Sequence, residues 1–153
     1  MKPHEVYETV VRFAEILKLR AGRTNDQIII DPGLAPIGAD TYGLINMGLD
    51  AMRLIRKDPD LAGIHISVGL TNFSFGVPKE LRTPLENAYI TLAMEAGLDF
   101  ILGNPEKKLG PVDASNEVFV KVKEALAKGR PVNGETQEDA GFRQAETIME
   151  LFA

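Results

Sequence analysis

A chain of 153 residues with 44% hydrophobic and 25% charged residues can build one globular core, which sets aside disordered and collagen-like classes. Its 17 basic and 22 acidic residues give a net charge of −5 with the two signs interspersed, so neither a nucleic acid backbone nor an anionic membrane meets a complementary surface. There is no cysteine for disulfide or thiolate chemistry, no membrane-length apolar run and no signal-peptide core, and the chain is expected to be cytoplasmic.

Val6, Val10, Phe13 and Leu17 recur at spacings of three and four and predict an amphipathic helix from Pro3 to Arg20, broken by Gly22 and Asn25. The β-branched run from Gln27 to Asp31 predicts a buried strand, followed by a Pro- and Gly-rich loop from Pro32 to Gly38. Ile45, Leu49, Met52 and Ile55 give the next helical face, stopped at Lys57, Asp58 and Pro59. A second strand is predicted from Ile64 to Leu70, then a long turn containing Pro78 and Pro84. Leu85, Tyr89, Leu92 and Ala96 mark a helix closed by Gly97, and Phe100 to Leu102 form a third strand ending in Gly103, Asn104 and Pro105. Ser115 is placed to cap a helix through Val118, Val122 and Leu126 to Gly129. Thr136 with Asp139 starts a last helix, with Ala145, Ile148, Met149 and Phe152 on its apolar face.

Strands alternating with helices form a parallel sheet covered by helices, so the class is α/β. A closed eightfold β/α barrel needs about 200 residues and eight strands, and only three strands are legible. Residues 1–153 therefore read as a single domain that is either a small open sheet or part of a barrel completed elsewhere. Unpaired parallel edges must be covered, which predicts dimers or higher homo-oligomers.

Ligands in such folds sit at the carboxyl ends of the strands, and all three predicted strands end in a polar residue: Asp31, Asn72 and Asn104. Asp31 can accept two hydrogen bonds from an amidine-like ring edge, and the Asn72 amide can follow a ring nitrogen through a change of protonation without taking a charge. Asn104 precedes a proline and is equally a turn former. Ser74 has no histidine base to make it a nucleophile and is read as a hydrogen-bonding residue of the loop. With the other three it completes the expected substrate-binding set. His65 has no cysteine or acidic partner at ligand spacing and is read as structural, so no metal site is expected. Arg82 is read as a solvated residue at a helix start, within reach of an anion.

The segments "IIIDPG", "VGLTNFSFG" and "NAYITLAMEAGLDFILGNP", from about Gln27 to Pro105, resemble the C-terminal portion of the pterin-binding barrel family. Within it they are similar to methyltetrahydrofolate:corrinoid methyltransferases and to the folate module of cobalamin-dependent methionine synthase. The resemblance implies a partial (β/α)8 TIM barrel of dihydropteroate synthase-like fold. It implies that Asp31 binds the pterin ring and that Asn72, the catalytic residue, lies beside the methyl-bearing N5. The implied reaction transfers the methyl group of methyltetrahydrofolate, as substrate, to a corrinoid carried on a separate protein. Relative to the family barrel the first five strands are absent, which is compatible with a split subunit, a truncated frame or a fragment, and implies a complementary N-terminal barrel half as partner. The Leu34 to Gly38 loop has no lysine and no arginine adjoins Asn72, which disfavours synthase activity. The competing expectation is a non-catalytic, barrel-completing assembly subunit.

Overall fold

The computed structural model describes residues 2–152. Its elements follow the predicted order: α1 (Pro3–Ala21), β1 (Ile29–Ile30), α2 (Leu44–Lys57), β2 (His65–Gly69), α3 (Lys79–Ala96), β3 (Phe100–Leu102), α4 (Glu117–Lys128) and α5 (Gln137–Met149). The strands are parallel and lie in the order β1-β2-β3, with Ile29 opposite His65, Ser67 opposite Phe100 and Gly69 opposite Leu102. This is an α/β arrangement compatible with part of a barrel. β1 is shorter than predicted because Asn25–Gln27 close a 3-10 turn, in which Thr24 and Gln27 cap one another.

The two-residue period of β2 divides its side chains between two faces. Ile66 and Val68 are fully buried against the helices, while His65, Ser67 and Gly69 point the other way and remain partly exposed. The register carries this division to the neighbours, so Ile29 (60% exposed), Phe100 (47%) and Leu102 (74%) share the second face. That face has no covering layer among the described residues. The predicted faces of α2 (Ile45, Leu49, Met52, Ile55) and α3 (Leu85, Tyr89, Leu92, Ala96) are all buried. Burying each such side chain is worth about 1.5–3 kcal/mol, which makes these two helices the firm backing of the sheet.

α1 behaves differently. Val10 and Ala14 are buried, yet Phe13 (53% exposed) and Leu17 of the same predicted stripe are not. With Ile28, Ile29 and Ile30 they line an open apolar groove of about 820 Å³ along the free edge of β1.

Beyond β3 the chain departs from a repeating β/α pattern. Its return segment lies along α3, where Asn87 Oδ1 accepts from the Gly110 amide and Thr91 Oγ1 from the Val112 amide. α4 then packs on α3 and α5, and the buried Asn46 of α2 donates to the Leu126 carbonyl at 2.8 Å. Arg130 clasps Asp50 of α2 with two parallel bonds of 2.8 and 2.9 Å. α4 and α5 thus form an outer layer over the helices that back the sheet.

Three local expectations are corrected. α3 begins at Lys79 and contains Pro84, rather than starting after it. Pro84 gives up the bond to the Glu80 carbonyl and its ring crowds that carbonyl, a local cost near the start of the helix. The cap of α4 is Asn116, whose side chain accepts from the Phe119 amide at 3.0 Å, while Ser115 is engaged with Asp113. The buried face of α5 is Ala140, Gly141, Gln144, Thr147 and Ile148, so Met149 is exposed and Ala145 and Phe152 lie outside the core. The cause is Gly141, which lets α5 approach the main chain so closely that a Cβ there would lie 2.6 Å from Thr41 Cα.

The lower end of the sheet is fastened by Asp99. Its Oδ1 accepts from the Ile66 amide and its Oδ2 contacts His65 Nδ1, each at 2.6 Å, while Arg56 lies 3.2 Å away and also bonds the Gly97 carbonyl. His65 is thereby held between strands, with Phe100 edge-on to its ring at 4.9 Å. Burial alone would raise the Asp99 pKa, but the His65 bond, the Ile66 amide and Arg56 outweigh it and hold it below the usual aspartate range. A depressed folded pKa contributes stability above the unfolded value near 4 and loses it as pH falls through the depressed value. Asp99→Asn is expected to lose about 1 kcal/mol at pH 7, the carboxylate being over a third exposed, and its deficit should close below pH 4. Urea unfolding across that range measures this, and a deficit constant with pH would count against it.

Candidate functional site

The polar residues predicted at the strand ends occupy one edge of the sheet, the carboxyl edge. Asp31 follows β1 directly, in phase with the exposed Ile29, and is itself exposed. Its Oδ1 accepts from the Gly33 amide at 2.8 Å, which fixes the carboxylate and leaves its second oxygen without a partner among the described residues. This is an Asx turn, built where a positive φ at Gly33 lets the chain reverse.

Asn72 ends the single turn of 3-10 helix, Leu70–Asn72, that follows β2. Its side-chain amide is exposed and unpartnered among the described residues, and folds back over Gly69: a Cβ on that glycine would lie 3.3 Å from Asn72 Nδ2. Gly69 belongs to the uncovered face of β2, so the amide stands at the mouth of that face. Asp31 and Asn72 thus flank the carboxyl ends of two hydrogen-bonded neighbours, both open to a ligand.

Asn104 stands beyond β3 on the same edge. Its Oδ1 accepts from the Glu106 amide at 2.9 Å, the geometry of a turn former. Ser74 points elsewhere. Only 2% exposed, it donates to Glu86 Oε1 at 2.6 Å, and Lys107 Nζ reaches both Glu86 oxygens at 2.8 Å. The hydroxyl therefore anchors the loop that presents Asn72.

Behind the edge lies Tyr89, its ring tilted by 31° against that of Phe73 with centroids 4.6 Å apart. Its buried hydroxyl has no partner among the described residues. Burial raises the phenol pKa far above its usual value, and the charge of Asp31 adds to the rise, so the hydroxyl stays protonated.

No family model matches the chain. A methylcorrinoid:tetrahydrofolate methyltransferase from Eubacterium limosum is 29% identical over 98 residues, which are 63% of this chain. The likeness is to a methyltransferase. The chain spans about a third, 34%, of that relative's length, so the similarity supports a related methyltransferase family and covers only part of such a protein.

Gly69, Glu86, Lys107 and Tyr89 contribute to this edge, and none stood out as a site residue from sequence. A glycine two residues before Thr71 in an apolar strand was the one available sign, since an interior strand glycine often marks close approach of another group. No helix is long and apolar enough to cross a membrane among the described residues.

Proposed function

We propose that the chain is the pterin-binding component of a methyltransferase that moves a methyl group between N5 of tetrahydrofolate and a corrinoid held on a separate protein. The observation that carries this reading is the pair of free polar groups, Asp31 and Asn72, at the carboxyl ends of adjacent parallel strands. Asp31 accepts from the amino-pyrimidinone edge of the pterin, and Asn72 meets N5. In the direction from folate to corrinoid, the reduced cobalt supplies the electron pair of the new bond to carbon. The pair of the old C–N5 bond returns to nitrogen, which leaves as a secondary amine once protonated. Asn72 stabilises the charge that shifts at N5, an interaction stronger in the transition state than in the ground state. The name of the similar protein states the opposite direction, and the same groups serve both by microscopic reversibility.

The uncovered face and the apolar groove beside β1 favour completion of the site by further β/α units, from a complementary barrel half or a second copy of this chain. The same features favour the competing reading, an assembly subunit without catalysis. Calorimetric titration with 5-methyltetrahydrofolate, on the chain alone and with a barrel half, separates the two. Saturable binding that weakens at least tenfold in Asp31→Ala is expected, since a charge-assisted contact is lost. A stable oligomer that binds no folate in either form favours the assembly reading.

A further inference from the structure

A cleft of about 440 Å³ opens where the N-terminal half of α2 meets the link between α4 and α5, and neither Asp31 nor Asn72 lines it. Asn46 of α2 stands in its wall at 7% exposure. The Nδ2 bond to the Leu126 carbonyl fixes that amide and leaves Oδ1 without a partner among the described residues. Unlike the orphaned Tyr89 hydroxyl, this oxygen is not sealed in the interior and opens on the cleft. Gln137, at the start of α5, repeats the arrangement: Nε2 donates to the Gly129 carbonyl at 2.9 Å and Oε1 is left over. Gly43 makes room for it, since a Cβ there would lie 2.7 Å from Gln137 Oε1. Two amide oxygens from different helices, each held by its own nitrogen, are thus left with nothing to accept, and a buried acceptor favours a ligand that donates to it.

Charge and shape narrow the ligand class. Of the charged side chains in the wall, Arg130 gives both terminal nitrogens to Asp50, and Lys2 is exposed. The groups left over are neutral: the two amide oxygens and Tyr42, whose ring and hydroxyl are 79% exposed and make no bond among the described residues. A phosphate or carboxylate only accepts, and would set its oxygens against those of Asn46 and Gln137. An ammonium group donates, but would enter beside Arg130 and Lys2. A pyranose ring satisfies each condition, with hydroxyls that donate along its rim, no charge, and a C–H face that can lie on an aromatic ring. We propose that this cleft binds a neutral sugar ring, with its hydroxyls on Asn46 Oδ1 and Gln137 Oε1 and its apolar face on Tyr42. The proposal is independent of the folate reading.

Titration of the full chain by NMR tests it, reading backbone amides and the side-chain NH2 signals of Asn46 and Gln137. The probes are methyl α-D-glucopyranoside, inorganic phosphate and methylamine, each on the wild type, on Tyr42→Ala and on Gln137→Ala. Tyr42 is exposed and unbonded, so its replacement leaves the fold intact, and unfolding in urea checks that Gln137→Ala is folded despite losing the Gly129 bond. The glucoside should give saturable millimolar shifts at both side-chain amides. Its affinity should fall about tenfold in Tyr42→Ala and about fivefold in Gln137→Ala, the loss of an aromatic platform and of one hydrogen bond. Phosphate and methylamine should leave the two amides unmoved. Shifts at these amides with phosphate or methylamine but not with the glucoside overturn the neutral-sugar assignment. Glucoside binding that both variants retain in full places the sugar elsewhere and overturns the site, as does the absence of any saturable shift.

Discussion

Replacing Lys107 by methionine is expected to destabilise the protein by about 3–5 kcal/mol, the cost of leaving one member of a buried ion pair without its partner. Glu86 sits inside α3 at 1% exposure, and Lys107 is its only cationic contact within 4 Å among the described residues. Ser74 would remain at 2.6 Å, but a neutral hydroxyl supplies one hydrogen bond and no compensating charge. In urea the loss should appear as a midpoint lowered by roughly 1.5–2.5 M, given a slope near 2 kcal/mol/M for a domain of this size. Adding Glu86→Gln to Lys107→Met removes the stranded charge and should recover much of the stability, because an uncharged amide costs far less to bury and keeps a partner in Ser74. A single variant within 1 kcal/mol of the wild type, or a double variant weaker than the single one, would show that the pair is not a structural tie. The stakes are local as well as global, since Ser74 lies two residues from Asn72 and the tie holds the loop between them.

How far the sequence revealed this arrangement depended on whether the determining contacts were local. α2 and α3 were legible because their burial repeats at three and four, and Ile45 to Ile55 and Leu85 to Ala96 are buried as that period requires. The same period in α1 was legible as a helix but not as an exposed stripe, because Phe13 and Leu17 lack the neighbours that would cover them. In α5 the pattern misled: Gly141 and Gln144 are buried because α5 meets Thr41 and Gly129, contacts about 100 and 15 residues away in the chain that no window around α5 contains. At the site, Asp31 and Asn72 stood out because an apolar strand gives no packing reason to end in a polar group. Glu86 and Lys107 did not, since one reads as an ordinary helix acid and the other as part of a charged turn. Their pairing across 21 residues, and that of His65 with Asp99 across 34, appear only when β2, α3 and β3 are brought together.

Asn72→Ala is expected to lower the rate of methyl transfer about 100-fold, near 3 kcal/mol, while folate affinity changes much less. The inequality follows from what the amide does. It has no partner to lose among the described residues and is exposed, so its removal should leave unfolding stability within about 0.5 kcal/mol of the wild type. On the proposed reading the ring remains held by Asp31, which keeps most of the ground-state binding. What disappears is an amide set over Gly69, which on the proposed reading acts where charge builds at N5 as the C–N5 bond breaks. Asn72→Asp separates hydrogen bonding from charge: a carboxylate beside N5 accepts but cannot donate in its ionised form, so it should support the protonated amine and fail the neutral one. Its residual rate should therefore depend on pH more steeply than that of the wild type. Single-turnover transfer between 5-methyltetrahydrofolate and a corrinoid protein, measured with an equilibrium titration on the same samples, tests all of this. Parallel loss of binding and rate would recast Asn72 as a binding residue only, and undiminished transfer would remove it from the reaction altogether.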